Sequence, residues 1–221
     1  MLYDKKLKFI HIPRTGGTTI EDIAQKNNIY WGRFDKWYHK NINPKYSCLY
    51  GENSKLARWH LLLKDDPNLW NSYNFFLIIR NPLDRFISTY YMPFANYDGI
   101  NNRYNDNIES FNKNISILLD KIKPKFIGQY GHQHHYINKK YVNNIHILCF
   151  DNFIEQSNKL FDKYNLNFML NNSYKSGSSK YIFSKKDLYK NNIDKIKTLY
   201  KQDYDLYINT KMQTLSLGLF L

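Results

Sequence analysis

Lys8-Phe9-Ile10-His11-Ile12-Pro13-Arg14-Thr15-Gly16-Gly17-Thr18-Thr19 opens as a short apolar run, is stopped by a proline, and passes through a Gly-Gly pair. The apolar positions Ile20, Ile23 and Ala24 that follow have helical spacing, so the segment reads as strand, glycine-rich turn and helix. Thr18 is the expected helix cap, with Glu21 three residues on to complete a capping box. The same grammar recurs twice. Phe75-Phe76-Leu77-Ile78-Ile79 ends in Arg80-Asn81-Pro82, and the helical pattern of residues 83–91 follows, with Asp84 placed to orient Arg85 or cap the helix. Residues 145–150 lead through Asp151-Asn152-Phe153 into a helical pattern over 154–164. Three short apolar strands alternating with helices predict an α/β fold whose central parallel β-sheet is flanked by helices on both sides. Residues 171–179 read as a loop and 185–207 as one or two closing amphipathic helices. The segment 30–50 is aromatic and irregular and receives no element. With no repeat, linker or break in composition, residues 1–221 read as a single domain.

The chain has 221 residues, 43% of them hydrophobic and 17% aromatic, which is enough apolar surface for a folded core. No apolar run approaches the roughly 20 residues of a membrane helix, and the charged opening lacks a signal-peptide core. The tail from Leu215 to Leu221 is too short to span and is expected to dock. Two cysteines, Cys48 and Cys149, suit buried thiols in a reducing, cytoplasmic setting. Thirty-two basic residues against 19 acidic ones leave a net charge of +13. That excess favours an anionic partner: nucleotide, nucleic acid, sulfated or carboxylated glycan, or membrane surface.

Ligands of an open parallel sheet sit beyond the carboxyl ends of its strands, where both Arg14 to Thr19 and Arg80 are expected. Loop amides, the hydroxyls of Thr15, Thr18 and Thr19, the cation Arg14 and a helix N-terminus suit a phosphate. Gly16 and Gly17 permit a tight turn and close approach, although a Gly-Gly pair is also an ordinary turn. The segment has no Gly-Lys-Ser/Thr ending, which argues against an NTP-hydrolysing phosphate loop. Arg80, at a strand end, and Ser88, in the next helix, can reach one phosphate together.

These two segments resemble the 5′-phosphosulfate and 3′-phosphate motifs of sulfotransferases that use 3′-phosphoadenosine 5′-phosphosulfate (PAPS), in the right order and each after a strand. The likeness is nearest to the Golgi-type carbohydrate sulfotransferases and their bacterial and viral relatives. It extends over residues 147–164 and 199–207, leaving 30–50 and 92–114 poorly matched. It implies a three-layer P-loop-like fold, sulfuryl transfer to a hydroxyl or amine, and adenosine 3′,5′-bisphosphate as product, with no metal required. Arg14, Thr15, Gly16, Gly17, Thr18, Thr19, Arg80 and Ser88 would bind the cofactor, joined by Lys175 and Ser176 in a late loop. Arg14 stands where the family usually has Lys, and a fork-shaped guanidinium is not a point charge. His60 occupies the place where related enzymes carry a catalytic His, and an imidazole suits a general base.

The acceptor implied is a carbohydrate or a small hydroxyl compound, including anionic glycans, with no nucleic acid expected. The poorly matched aromatic segments are candidates either for the acceptor side of the cleft or for the core. The lack of a signal anchor in the sequence suggests a bacterial, viral or cytosolic setting. His132, His134 and His135 form the densest histidine group and with His146 could bind a transition metal, but their spacing matches no common metal site, so a solvated loop beside the acceptor cleft is the expectation. His11 is expected to pack within the first strand. Two rival readings differ in class: a nucleotide-dependent phosphotransferase, and a non-catalytic basic module for glycan or nucleic acid.

Overall fold

The computed structural model describes residues 6–43, 58–92, 107–122, 129–171 and 181–216. Its three strands are β1 (Lys6–Phe9), β2 (Tyr73–Ile79) and β3 (Ile145–Cys149), all parallel and in the order β1-β2-β3. Phe76 is the crossing point of the register, opposite Phe9 on one side and His146 on the other. Because side chains alternate along a strand, β2 feeds two cores at once. Phe75, Leu77 and Ile79 join Ile10, Ile12, Tyr38 and Trp70 on one face. Phe76 and Ile78 join Phe9, Ile20, Leu148 and Phe161 on the other. This two-sided burial is why β2 reads as an unbroken apolar run.

The helices are α1 (Gly17–Lys26), α2 (Lys36–Lys40), α3 (Pro67–Ser72), α4 (Pro82–Tyr90), α5 (Ile108–Lys121), α6 (Phe153–Lys163), α7 (Lys190–Leu199) and α8 (Lys201–Ser216). Ile20 and Ile23 of α1 and Leu160 and Phe161 of α6 cover one sheet face. Tyr38 of α2, Trp70 of α3 and Tyr207 of α8 cover the other. Phe86 and Tyr90 of α4, Phe111 and Ile115 of α5 and Ile196 of α7 form a third cluster. The result is the expected α/β, P-loop-like arrangement of a parallel sheet between helical layers.

Several local expectations are corrected. β1 stops at Phe9, so His11 lies beyond it, although the Ile10 amide still bonds the Phe76 carbonyl. Thr18 does not cap α1: the cap is Gly16, whose φ of 90° a side chain would resist, and no side-chain cap bond forms there. Glu21 is instead drawn inward, fully buried, by His11. Asn81, not Asp84, caps α4 by accepting from the Leu83 and Asp84 amides, while Asp84 receives Lys185. Helix α5 was not foreseen, and begins at an Asn107 cap. The aromatics Trp31 and Tyr38 of the irregular segment are core residues. Cys149 is a buried free thiol. Cys48, Lys175, Ser176 and residues 217–221 lie outside the described residues.

Candidate active site

Arg14 and Gly16 both take positive φ, 65° and 90°, and so turn the chain sharply between β1 and α1. For Gly16 the conformation is free, whereas for Arg14 it is strain held in place by its contacts. Gly17 is needed for a different reason: a β-carbon there would collide with the imidazole of His11. Thr15 is fully buried and spends its hydroxyl on the Ile12 carbonyl, so its side chain braces the turn. Thr18 and Thr19 fall in the first turn of α1, where the Thr19 amide bonds the Gly16 carbonyl at 3.1 Å and the amides of Gly17 and Thr18 lack intrahelical acceptors.

Arg14, Arg80 and Ser88 converge. Arg14 Nε donates to Ser88 Oγ at 3.0 Å, and Arg80 Nη1 donates to the Arg14 carbonyl at 3.2 Å. Ser88 Oγ also accepts from Tyr181 Oη at 2.8 Å. The Arg80 guanidinium lies 4.5 Å from the centre of the Phe150 ring, and that ring also touches the space a β-carbon on Gly16 would take. Gln133 brackets the Arg80 backbone, accepting from its N–H and donating to its carbonyl, both at 2.8 Å. Burial pulls the Arg80 pKa down, an effect to which Arg14 adds and which Tyr181 and Asp84 oppose. Its Nε is buried without a hydrogen-bond partner.

Arg85 is not a ligand-facing cation. It is 2% exposed, and its guanidinium donates to the carbonyls of Pro13, Gly131 and Gln129 at 2.9, 2.8 and 3.1 Å. It therefore ties the loop after β1 to the segment that carries Gln129 and Gln133.

His60 lies on a short 3-10 turn (Arg58–His60), and its ring meets His11 edge-on with centroids 4.7 Å apart. Burial, reinforced by His11, Arg85 and Arg14, pushes its pKa well below the imidazole range, so it is neutral at pH 7. Its carbonyl accepts from Tyr136 Oη at 2.6 Å, and its Nδ1 lies 3.3 Å from the Gln129 amide. Gln129 Oε1 is buried without a partner. The contact fits two tautomers: with Gln129 Nε2 donating to Nδ1 the His60 proton sits on Nε2, and with the amide O and N exchanged Nδ1–H donates to Gln129 and the His60 Nε2 lone pair is free. His11 in turn shares a 2.6 Å hydrogen bond with Glu21, whose other oxygen faces Arg33 at 3.5 Å.

The histidine group is not the solvated loop expected from the sequence. His132 is 5% exposed, Gln133 is fully buried, and Asp203 of α8 accepts from the amides of Gln133 and His134 and pairs with His134 Nδ1 at 2.6 Å. A buried carboxylate with three partners draws the turn inward.

Buried histidines make the fold acid-sensitive. Burial lowers His60, burial with Lys163 lowers His146 to about 4, and burial with His134 and His132 lowers His135 to about 4. Below the unfolded value of about 6.5 the unfolded chain takes up protons that the native state refuses. Stability is therefore complete above that pH and falls as the pH drops toward the folded values. For His60 alone the loss approaches about 1.4 kcal/mol per pH unit. Urea midpoints measured at steps between neutrality and about pH 4.5 should decline steadily, and a flat profile would contradict this burial.

The family model of the sulfotransferase family matches residues 1–208. The chain belongs to that family. Comparison with curated proteins and with solved structures returns no match. In this sulfotransferase-family chain, Arg14, Arg80 and Ser88, 66 and 74 positions apart in the pairs that touch, meet as the two sequence motifs suggested. Among the described residues, His60 makes no hydrogen bond to these three, its ring instead packing edge-on against His11. Tyr181, Phe150, Gln129, Gln133 and the His11–Glu21 pair were missed as site residues. Nothing local signals Tyr181 or Gln133, whose partners lie 93 and 53 positions away. No described helix is long and apolar enough to cross a membrane.

Proposed function

We propose that this chain transfers the sulfuryl group of PAPS to a hydroxyl of an acceptor, most simply a carbohydrate, with His60 as general base. The observation that carries the reading is the meeting of Arg14, Arg80 and Ser88 beside the N-terminus of α1. The fit to a phosphorylated nucleotide rests on Arg80. Its buried Nε lacks a partner, a costly arrangement that an incoming phosphate oxygen would relieve.

When bound, the phosphosulfate supplies the transferable group and a leaving phosphate on which negative charge grows. Arg14 and the first amides of α1 hold that phosphate and stabilise the charge, with a fork where the family usually has an ammonium. Arg80 and Ser88 hold the 3′-phosphate, and Gln133 keeps Arg80 from turning away. His60, with Gln129 holding Nδ1–H, accepts the acceptor's proton at Nε2. Its lowered pKa keeps the lone pair available at neutral pH and makes it a weak base that works best as charge develops. Lys175 and Ser176 are further candidates for nucleotide contact. The charge of +13 suits an anionic glycan acceptor.

Thermal stabilisation by adenosine 3′,5′-bisphosphate, compared with ADP and with ATP plus Mg²⁺, tests the reading. At a hundredfold its dissociation constant the bisphosphate should add about 2.7 kcal/mol. Calorimetry on Arg80→Ala should show affinity for the bisphosphate weakened by more than about tenfold, or 1.4 kcal/mol. Unchanged affinity would remove Arg80 from the site. Preference for ATP would promote a phosphotransferase, and salt-sensitive polyanion binding without transfer would promote a binding module.

A further inference from the structure

We infer that His132, His134 and Asp203 form a binding site for one divalent transition metal of the zinc class, which clamps α8 to the turn that braces Arg80. One ligand atom from each of the three side chains lies within 4.8 Å of the other two. His132 supplies the independent observation. At 5% exposure, both of its ring nitrogens are buried without a hydrogen-bond partner. A neutral imidazole carries one in-plane nitrogen lone pair, and burying it without a donor or metal ion to take it costs about 1–3 kcal/mol. A proton donor or a metal ion can do so, and the neighbours decide between them. The rings beside His132 are His134 at 5.2 Å and His135 at 5.1 Å between centroids, with Tyr200 at 4.9 Å, whose hydroxyl is spent on the Tyr130 carbonyl.

The two donors that a metal ion needs beside His132 are already anchored. Asp203 is fully buried and fixed by the amides of Gln133 and His134, and its 2.6 Å contact with His134 Nδ1 sets the two donor atoms side by side, so an ion bound there would displace the proton they share. Tetrahedral zinc with bonds of about 2.1 Å places its donors about 3.4 Å apart. Rotation of the His132 ring, which no hydrogen bond restrains, narrows the gap. Two imidazoles and a carboxylate suit zinc or cobalt better than magnesium or calcium, which prefer all-oxygen shells. A fourth position remains for water or His135. Because Gln133 lies between the two histidine ligands and brackets Arg80, the ion would stiffen the segment on which that arginine rests.

The site does not depend on the proposed sulfuryl transfer, and its test uses no nucleotide. Metal-free full-length protein titrated with Co²⁺ should develop visible d–d absorption that saturates at one equivalent and is displaced by Zn²⁺. His132→Ala should weaken Co²⁺ affinity by more than about tenfold, while His146→Ala, outside the cluster, should not. Absence of the absorption, or its survival undiminished in His132→Ala, overturns the site. Should His132→Ala fail to fold, crystals of the unaltered protein grown with Zn²⁺ give the answer. An anomalous peak among the three side chains supports the site, and a peak elsewhere or none overturns it.

Discussion

Replacing His60 by alanine should slow sulfuryl transfer by about 10²–10⁴-fold while leaving the affinity for adenosine 3′,5′-bisphosphate unchanged. The expectation follows from where the ring is held. His60 is buried, neutral and gripped at its carbonyl by Tyr136 and at Nδ1 by Gln129, so Nε2 is the atom left for the acceptor. The cofactor motifs are assembled from other residues, Arg14, Arg80 and Ser88, which do not use His60 as a hydrogen-bond partner. Transfer of radiolabelled sulfate from PAPS, with calorimetry on the bisphosphate, separates the two effects. Normal turnover would move the role of base to another residue, His11 first, since it lies edge-on to His60 and pairs with a buried carboxylate.

Arg85→Met should destabilise the protein by about 3 kcal/mol, the order expected for leaving three buried carbonyls unpaired. A surface arginine would cost a fraction of that, and Arg85 looks like one in the sequence, next to Asp84 on an amphipathic helix. Instead its guanidinium is spread over three carbonyls, those of Pro13, Gly131 and Gln129, none of which has water to turn to. Methionine preserves much of the packing volume and removes every donor, so the loss isolates the hydrogen bonds. It also frees the loop of Arg14 from the segment of Gln129, so the bisphosphate should bind more weakly as well. Urea denaturation by linear extrapolation measures the first effect; a change below about 1 kcal/mol would show that Arg85 is dispensable.

The strand and helix order was legible because it depends on local rules. The apolar run of β2, the proline after Ile12 and after Asn81, and the glycine at 16 each constrain their own neighbourhood whatever the rest of the chain does. The two segments proposed to bind phosphate were legible for the same reason, since each is a contiguous turn at a strand end. The capping box at Thr18 failed because a local preference lost to a tertiary one. A Glu21 bonded to buried His11 and facing Arg33 is held more firmly than one reaching back to a helix end. The histidine group was misplaced in solvent because polarity alone gave no sign that Asp203, 69 positions later, would draw it in.

By itself the sequence determined the α/β order, the turns after β1 and β2 and the choice of Arg14, Arg80 and Ser88 as the polar groups proposed to bind an anion there, because short-range sterics and apolar periodicity specify those features. Tertiary structure alone decided which guanidinium keeps a nitrogen unpartnered and which serves as a strut. Arg80 keeps a buried, unpartnered nitrogen while Arg85 gives all of its arms to backbone carbonyls. The difference lies in the acceptors that folding brings within hydrogen-bond reach from more than 40 positions away. A guanidinium cut off from water takes its role from those acceptors.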